Sequence, residues 1–239
     1  MNTTRFLCLA VSRRDGGNCI AGIDIDSGKW IRPINKRPPN AFSDHELIVL
    51  DIATQKRRFL RPLDILHLRL NKHLGSNSQP ENWELDIAPY ENPYVVIAQC
   101  SGPLGESKLS SYLDRSDRLL HTYGNHIDEM EVRSRPLTHS LSLIEPDRLH
   151  WRVSENPHYP NQLQVRAEFN FRQKPYNLAL TDPIWEATCR RHGKGRHPHS
   201  EIIEAAGQLV FLTVSLAAIP LHGYHYKLIA AVLCPSQSA

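Results

Sequence analysis

The chain has 239 residues, with 28 Lys+Arg against 25 Asp+Glu and a formal charge of +3. That near balance excludes a polybasic tail or an acidic solvating region, and 41% hydrophobic content is enough for one large domain or two of roughly 120 residues each. Seventeen Pro against twelve Gly point to short elements joined by turns, and exclude collagen, coiled coil and general disorder.

Residues 6–11 form an apolar run, the turn formers Asp15, Gly16, Gly17 and Asn18 follow, and residues 19–25 resume as strand. Asp26, Ser27, Gly28 and Lys29 fit a tight hairpin into residues 30–34, because Gly28 can supply the positive φ such a turn needs. Pro38 and Pro39 end this meander, and residues 46–54 and 63–70 read as further strands. Residues 75–93 are polar and read as a long loop that holds Glu81, Asn82 and Trp83, with strand again at 94–98. Apolar Leu109, Tyr112, Leu113, Leu119 and Leu120 among charged residues suit one or two short helices over 107–121, ended near Gly124. A boundary is expected near 131–136, which gives an N-terminal unit of 1–133 with a helical insertion and a C-terminal unit of 134–239.

The second half restarts with strands at 139–144 and 149–153 and then alternates clearly. Leu163, Val165, Ala167, Phe169 and Phe171 take one face, and Gln164, Arg166, Glu168, Asn170 and Arg172 the other, as a half-buried antiparallel strand requires. Gln173, Lys174 and Pro175 turn the chain into a strand at 176–180. Ser200 is an N-cap candidate for a short helix to Ala206 with Gly207 as its stop, and residues 208–216 and 225–233 close the sheet. The apolar stretch 209–221 is too short for about 30 Å of hydrocarbon and reads as a core strand, so no membrane partner is expected. The five Cys (8, 19, 100, 189 and 234) are scattered and the N-terminus lacks the order of a secretory signal, so a reduced, cytoplasmic chain is expected.

Several runs together resemble the prokaryotic dual OB-containing domain family: Cys8-Leu9-Ala10 with Ser12-Arg13, Cys19-Ile20-Ala21-Gly22, Gly28-Lys29-Trp30-Ile31-Arg32-Pro33, Pro62-Leu63-Asp64-Ile65, Glu81-Asn82-Trp83, Thr181-Asp182-Pro183, and Gly223-Tyr224-His225-Tyr226-Lys227-Leu228. The resemblance covers almost the whole chain. It implies a mainly β fold of two tandem OB-like small barrels with a few short helices, and a nucleic-acid role in the setting of phage defence. It carries over no catalytic residue. The basic stretch 189–199 departs most from the family pattern.

Four constellations carry chemistry. Arg13, Arg14, Trp30, Arg32, Lys36 and Arg37 offer cations for phosphates and a ring for a base, although a tryptophan can equally fill the bottom of a small barrel. Lys56, Arg57 and Arg58 form a basic patch on a strand-to-strand loop, fit for phosphate contacts or for a solvated face. Cys189, Arg190, Arg191, His192, Lys194, Arg196, His197 and His199 read best as a flexible cationic finger. The weaker reading is a metal site of Cys189, His192, His197 and His199, but four ligands in one short loop are crowded. Asp182 with His225 and Tyr226 could do acid–base work on a nucleotide, or Asp182 could cap the turn at Pro183.

No Walker loop, Gly-x-Gly-x-x-Gly, His-Glu-x-x-His or nucleophile elbow is present in the sequence, so no cofactor is called for. The expected function is binding of single-stranded, distorted or modified DNA or RNA in phage defence or repair, with a defence-system protein as a further partner. The alternative is a base-excising glycosylase or nuclease that uses Asp182 with a nearby His or Tyr.

Overall fold

A computed structural model describes residues 2–14, 16–38, 40–89, 91–157, 159–203 and 209–236, without the side chains of Asn2, Arg14 and Pro160. The chain divides into two compact units, Met1–Tyr112 with Pro136–Ser140 and Pro235–Ala239, and Leu113–Arg135 with Leu141–Cys234. The chain thus crosses between units more than once instead of being cut at a single position.

In the first unit, β1 (Asn2–Arg14), β2 (Gly17–Asp24) and β3 (Trp30–Ile34) form the expected meander. The hairpin between β2 and β3 has Gly28 at φ 69°. Next come β4 (Ile48–Asp51), β5 (Lys56–Phe59), β6 (Asp64–His73), β7 (Asn82–Leu85), β8 (Val95–Gln99) and α1 (Gly102–Ser111). The order β1-β2-β3-β7-β6 returns to β1 through the β1–β6 pairing, so five strands close on themselves. Only β3–β7 is parallel within this ring. Strands β8, β4 and β5 extend the sheet beyond β6. A barrel of five strands has room for side chains only, and Phe6, Cys8, Val11, Ile20, Ile31, Leu66, Leu68 and Leu70 pack inside it. The backbone passes so closely at Gly22 that an added Cβ would lie 2.0 Å from the Leu7 carbonyl oxygen.

Of the one or two short helices expected over 107–121, the first begins earlier, at Gly102, and the second is a single 3₁₀ turn at Leu119–His121. Pro103 favours a helix start at its own position, α1 ends at Ser111, and Leu119 and Leu120 are buried in a separate turn. The polar run 75–93 contains β7, which its own pattern did not reveal because its pairing with β3 is distant in sequence.

Asp64 is fully buried and saturated with donors. Arg58 gives it Nη1 and Nη2 at 2.7 Å each, Arg61 its backbone N at 2.8 Å, and Gln99 its Nε2 at 3.1 Å. Arg58 also donates Nε to Asp51 at 2.8 Å. These two carboxylates raise the Arg58 pKa further above its ordinary value, with Asp64 the larger cause.

The second unit holds β9 (His126–Asp128), α2 (Glu129–Ser134), β10 (Leu141–Ile144), β11 (Asp147–Asn156), β12 (Tyr159–Phe171), β13 (Lys174–Leu180), α3 (Pro183–Arg191), β14 (Gly195–Pro198), α4 (His199–Ile202), β15 (Phe211–Leu216) and β16 (Tyr224–Leu233). Its order is β10-β15-β16-β13-β12-β11-β14. Strands β10 and β11 are one strand interrupted at Glu145 and Pro146. Counted so, the order repeats that of the first barrel, and the parallel pair β13–β16 takes the place of β3–β7. The fold is therefore mainly β and consists of two OB-like units, as the family resemblance implies. The helix expected from a Ser200 cap to Ala206 differs: Pro198 is the N-cap of α4, Ser200 lies inside it, and the chain is extended again at Ile203, while Ala206 and Gly207 lie outside the described residues. Among the described residues no helix is long and apolar enough to cross a membrane.

Lys227 sits inside the second barrel, 1% exposed. Its Nζ donates to the Thr122 carbonyl and Thr122 Oγ1 at 2.8 Å and to the Gly124 carbonyl at 2.6 Å, and lies 5.5 Å from the Tyr176 ring centre. Burial lowers its pKa from 10.5 to about 7. The unfolded chain keeps this proton up to about pH 10.5 and the folded chain releases it near 7, so the destabilising burial of charge is complete below pH 7 and fades as pH rises. Thermal unfolding of the wild type against Lys227→Met between pH 6 and 9.5 is expected to show the wild type gaining relative stability with pH, at up to about 1.4 kcal/mol per unit above pH 7.

Candidate functional site

The alternation of β12 defines a surface. Val165, Ala167, Phe169 and Phe171 point into the second barrel, which turns Arg166, Glu168 and Asn170 outward. Cross-strand register adds neighbours: His150 opposite Glu168, Arg152 opposite Arg166, Asn177 opposite Glu168, Pro175 opposite Asn170, and Arg196 opposite Arg152. The β12–β13 hairpin turns through Arg172 at φ 50° and Gln173 at φ 63°, the left-handed pair that a two-residue loop needs to match strand twist.

These strands and Asn125 enclose a groove of about 590 Å³. Arg148, His150, Arg196, Asn170, Asn177 and Glu168 supply its polar lining. Glu168 accepts Arg152 Nε at 2.5 Å and Arg196 Nε at 2.7 Å. Burial acts to raise the Glu168 pKa, but the two guanidiniums outweigh it and hold the carboxyl below its usual range. One carboxylate thus positions two arginines, and their cations outnumber it. Arg166 donates to Asn177 Oδ1 at 2.6 Å and to its carbonyl at 2.5 Å, with its pKa lowered by burial. The Asn177 N–H in turn donates to Asn125 Oδ1 at 3.2 Å. Exposed Arg148, with φ 52°, stands at the rim. Guanidiniums bind phosphates through paired donors, and amides can read base edges.

Of the residues singled out in the sequence, Arg196 alone lines this groove. The stretch 189–199 is not a flexible finger: it finishes α3, and β14 then pairs with β11. Its cations are tied down, Arg190 to Glu186 and the Leu163 carbonyl, Arg191 to Thr188, Lys194 to Glu155, and Arg196 to Glu168. The candidate metal ligands part company as well. Cys189 is fully buried, and burial pushes its thiol up to about 12. His199 Nδ1 receives Trp151 Nε1–H at 3.0 Å, and burial lowers its imidazole to about 4. Only His192 and His197 remain neighbours, their ring centres 5.9 Å apart. Among the described residues no group of three or more His, Cys, Asp or Glu could hold a metal ion.

In the first unit, Arg32 is buried on β3, at 6% exposure, and offers no surface cation. Trp30 is half-buried at the start of β3. Arg13 is exposed near the β1–β2 turn, and the side chain of Arg14 lies outside the described residues. The basic patch is a strand, not a loop. Lys56 and Arg57 are exposed on β5, while Arg58 is committed to Asp64 and Asp51 and is withdrawn as a phosphate ligand. Arg13 and the β5 cations do not form one groove, since β6, β8 and β4 separate β1 from β5 in the sheet. Glu81 is occupied by Ser140, accepting its N–H at 2.5 Å and its Oγ–H at 2.8 Å, and so pins a loop.

Asp182 is the N-cap of α3. Oδ1 accepts the N–H groups of Ile184 at 3.0 Å and Trp185 at 3.1 Å, and Oδ2 that of Val232 at 3.1 Å. Burial raises its pKa even so. His225 and Tyr226 lie six or seven residues before Val232 on β16, about 20 Å along the strand. His225 is buried with Nδ1 on the Ala217 carbonyl at 2.9 Å. These three residues therefore share no pocket, and an Asp182–His–Tyr catalytic set does not form. Arg148, His150, Asn125, Asn170 and Asn177 were missed, although the polar face of residues 164–172 was visible in the sequence. Reading that face as a surface to be used, and not as the solvated half of a strand, would have found part of the groove.

A family model describing the dual OB-containing domain matches residues 4–232. No curated protein and no solved structure matches the chain. The match and the repeated barrel order agree.

Asp182→Ala is expected to lower stability by about 1–3 kcal/mol, through removal of the cap and the unpaired Val232 N–H, and to leave ligand binding intact. Urea unfolding, with a binding assay on the folded variant, checks both halves of this expectation.

Proposed function

The chain belongs to the dual OB-containing domain family, and from that premise we propose that it binds nucleic acid through the outer sheet face of its second barrel. The observation that carries this reading is the groove in which Glu168, itself held by Arg152, orders Arg196 beside Arg148, His150 and three asparagines. OB-type barrels use the face of their second and third strands for oligonucleotides. In the second unit those strands are β12 and β13, which supply Glu168, Asn170 and Asn177. The arginines serve phosphates and fix register, and the amides serve base edges. Lys56, Arg57 and Arg13 lie in the first unit and add at most nonspecific attraction. A surface of this kind suits recognition of single-stranded, distorted or modified nucleic acid, as phage defence or repair requires.

Fluorescence anisotropy with labelled oligonucleotides at 50–200 mM salt tests the proposal. Arg148→Ala with Arg196→Ala is expected to weaken binding at least tenfold and to flatten the salt slope by about 1.4 for a single strand, at about 0.7 for each phosphate no longer neutralised. Lys56→Ala is expected to change little. Absence of binding to every oligonucleotide at low salt, or an unchanged slope in the double variant, contradicts the assignment.

A further inference from the structure

Strand β9 lies outside the five-strand order and pairs antiparallel with the start of β16, Tyr224 opposite Asp128, His225 opposite Ile127 and Tyr226 opposite His126. Ile127 and His225 are buried, so the alternation turns His126, Tyr224 and Tyr226 to the other face. There the three rings meet. Centroids are 4.4 Å apart for His126–Tyr224, 5.6 Å for His126–Tyr226 and 6.4 Å for Tyr224–Tyr226, with interplanar angles of 59°, 57° and 71°. No pair lies flat on another, so ring faces remain for a flat ligand. His126 and Tyr224 are exposed, and Tyr226 is half-buried.

The cluster adjoins the arginine groove. Asn125 lines the groove and directly precedes His126. Its Oδ1 accepts from the Asn177 N–H on β13, and its carbonyl accepts from the Lys227 N–H on β16 at 2.9 Å. Residues 125–126 thus bridge β13 and β16, and the polar face of β11–β13 runs on into the rings. Just beyond this bridge β13 and β16 pair directly, Ala179 with Leu228 and Leu180 with Ile229. Exposed rings beside ordered arginines are the combination that holds single strands, because every base has a face to stack and every nucleotide a phosphate to pair. A duplex keeps its bases stacked internally and has no such face to offer.

We propose that His126, Tyr224 and Tyr226 form a stacking platform for an unpaired nucleobase of the strand whose phosphates occupy the Arg148–Arg196 groove, which makes the second barrel selective for single-stranded nucleic acid. The proposal rests on the nucleic-acid reading of the groove and adds a second subsite to it.

The test uses the full chain and three probes of equal length: a mixed-sequence single strand, its duplex, and a single strand with abasic sites in place of its central nucleotides. Tyr224→Leu with Tyr226→Leu is expected to weaken single-strand binding about tenfold or more, the scale of one base stack removed, with duplex binding and the salt slope unchanged. The abasic strand is expected to bind the wild type as weakly as the intact strand binds this variant. Tyr224→Phe with Tyr226→Phe keeps the rings and is expected to retain single-strand affinity, which separates stacking from folding. If the arginine double variant loses affinity while the leucine variant binds the single strand as the wild type does, the platform is overturned and the groove stands, with the rings left as a protein-docking patch. Equal loss on intact and abasic strands overturns it too. A wild type that binds none of the probes overturns both.

Discussion

Closure of each sheet on itself is the constraint from which the rest follows. In the first unit the β1–β6 pairing completes a ring of five strands, and in the second the interrupted strand β10–β11 pairs on both sides, with β15 and with β12. A ring leaves no free edge and assigns every strand residue to the inside or the outside. The inside is mostly apolar, with Phe6, Leu66 and Leu68 in one unit and Trp151, Ala167 and Val214 in the other, and Lys227 as the buried cation of the second. The outside is therefore where chemistry can be displayed, and on the second unit it displays arginines and asparagines.

Charge is arranged by the same geometry, and its near-neutral sum conceals the arrangement. Arg58 belongs to buried Asp64, Lys194 to Glu155 and Arg190 to Glu186, so cations that look like a nucleic-acid surface in the sequence are parts of the scaffold. The exposed pairs of Lys194 and Arg190 add little to stability, but all three remove their cations from general use. Glu168 works differently, since one carboxylate is shared by Arg152 and Arg196 and the pair of cations outnumbers it, with Arg196 in the groove. Lys227 shows the reverse, a buried cation served by oxygens of the 122–124 turn and the Tyr176 ring, with no carboxylate among these partners, and weakened by burial until it titrates near neutrality.

Local pattern carried the fold further than it carried the site. The meander of residues 6–34 and the alternation of 163–171 were legible because hydrophobic period and turn chemistry are local. The short strands β7, β9 and β14 were not, because their pairing partners lie outside their own local pattern: β7 pairs with β3, β9 with β16, β14 with β11. Strand β5 pairs with neighbouring β4, but Lys56, Arg57 and Arg58 carry no apolar alternation to mark it. The site failed for the same reason. Arg196 and Glu168 are 28 residues apart in sequence yet 2.7 Å apart in space. Asp182 and Tyr226, joined by a family run and plausible chemistry, meet opposite ends of one strand. Burial was equally invisible, so Arg32 looked like a phosphate ligand although only 6% of it is exposed.

The central claim is that the outer face of the second barrel, not the basic clusters of the first, meets nucleic acid. Titration of isotope-labelled protein with a short single-stranded oligonucleotide, followed by backbone amide chemical shifts, reads this residue by residue. The account expects the largest perturbations at Arg148, His150, Asn170, Asn177, Arg196 and Asn125. Perturbations confined to Arg13, Lys56 and Arg57, or none at low salt, would contradict it.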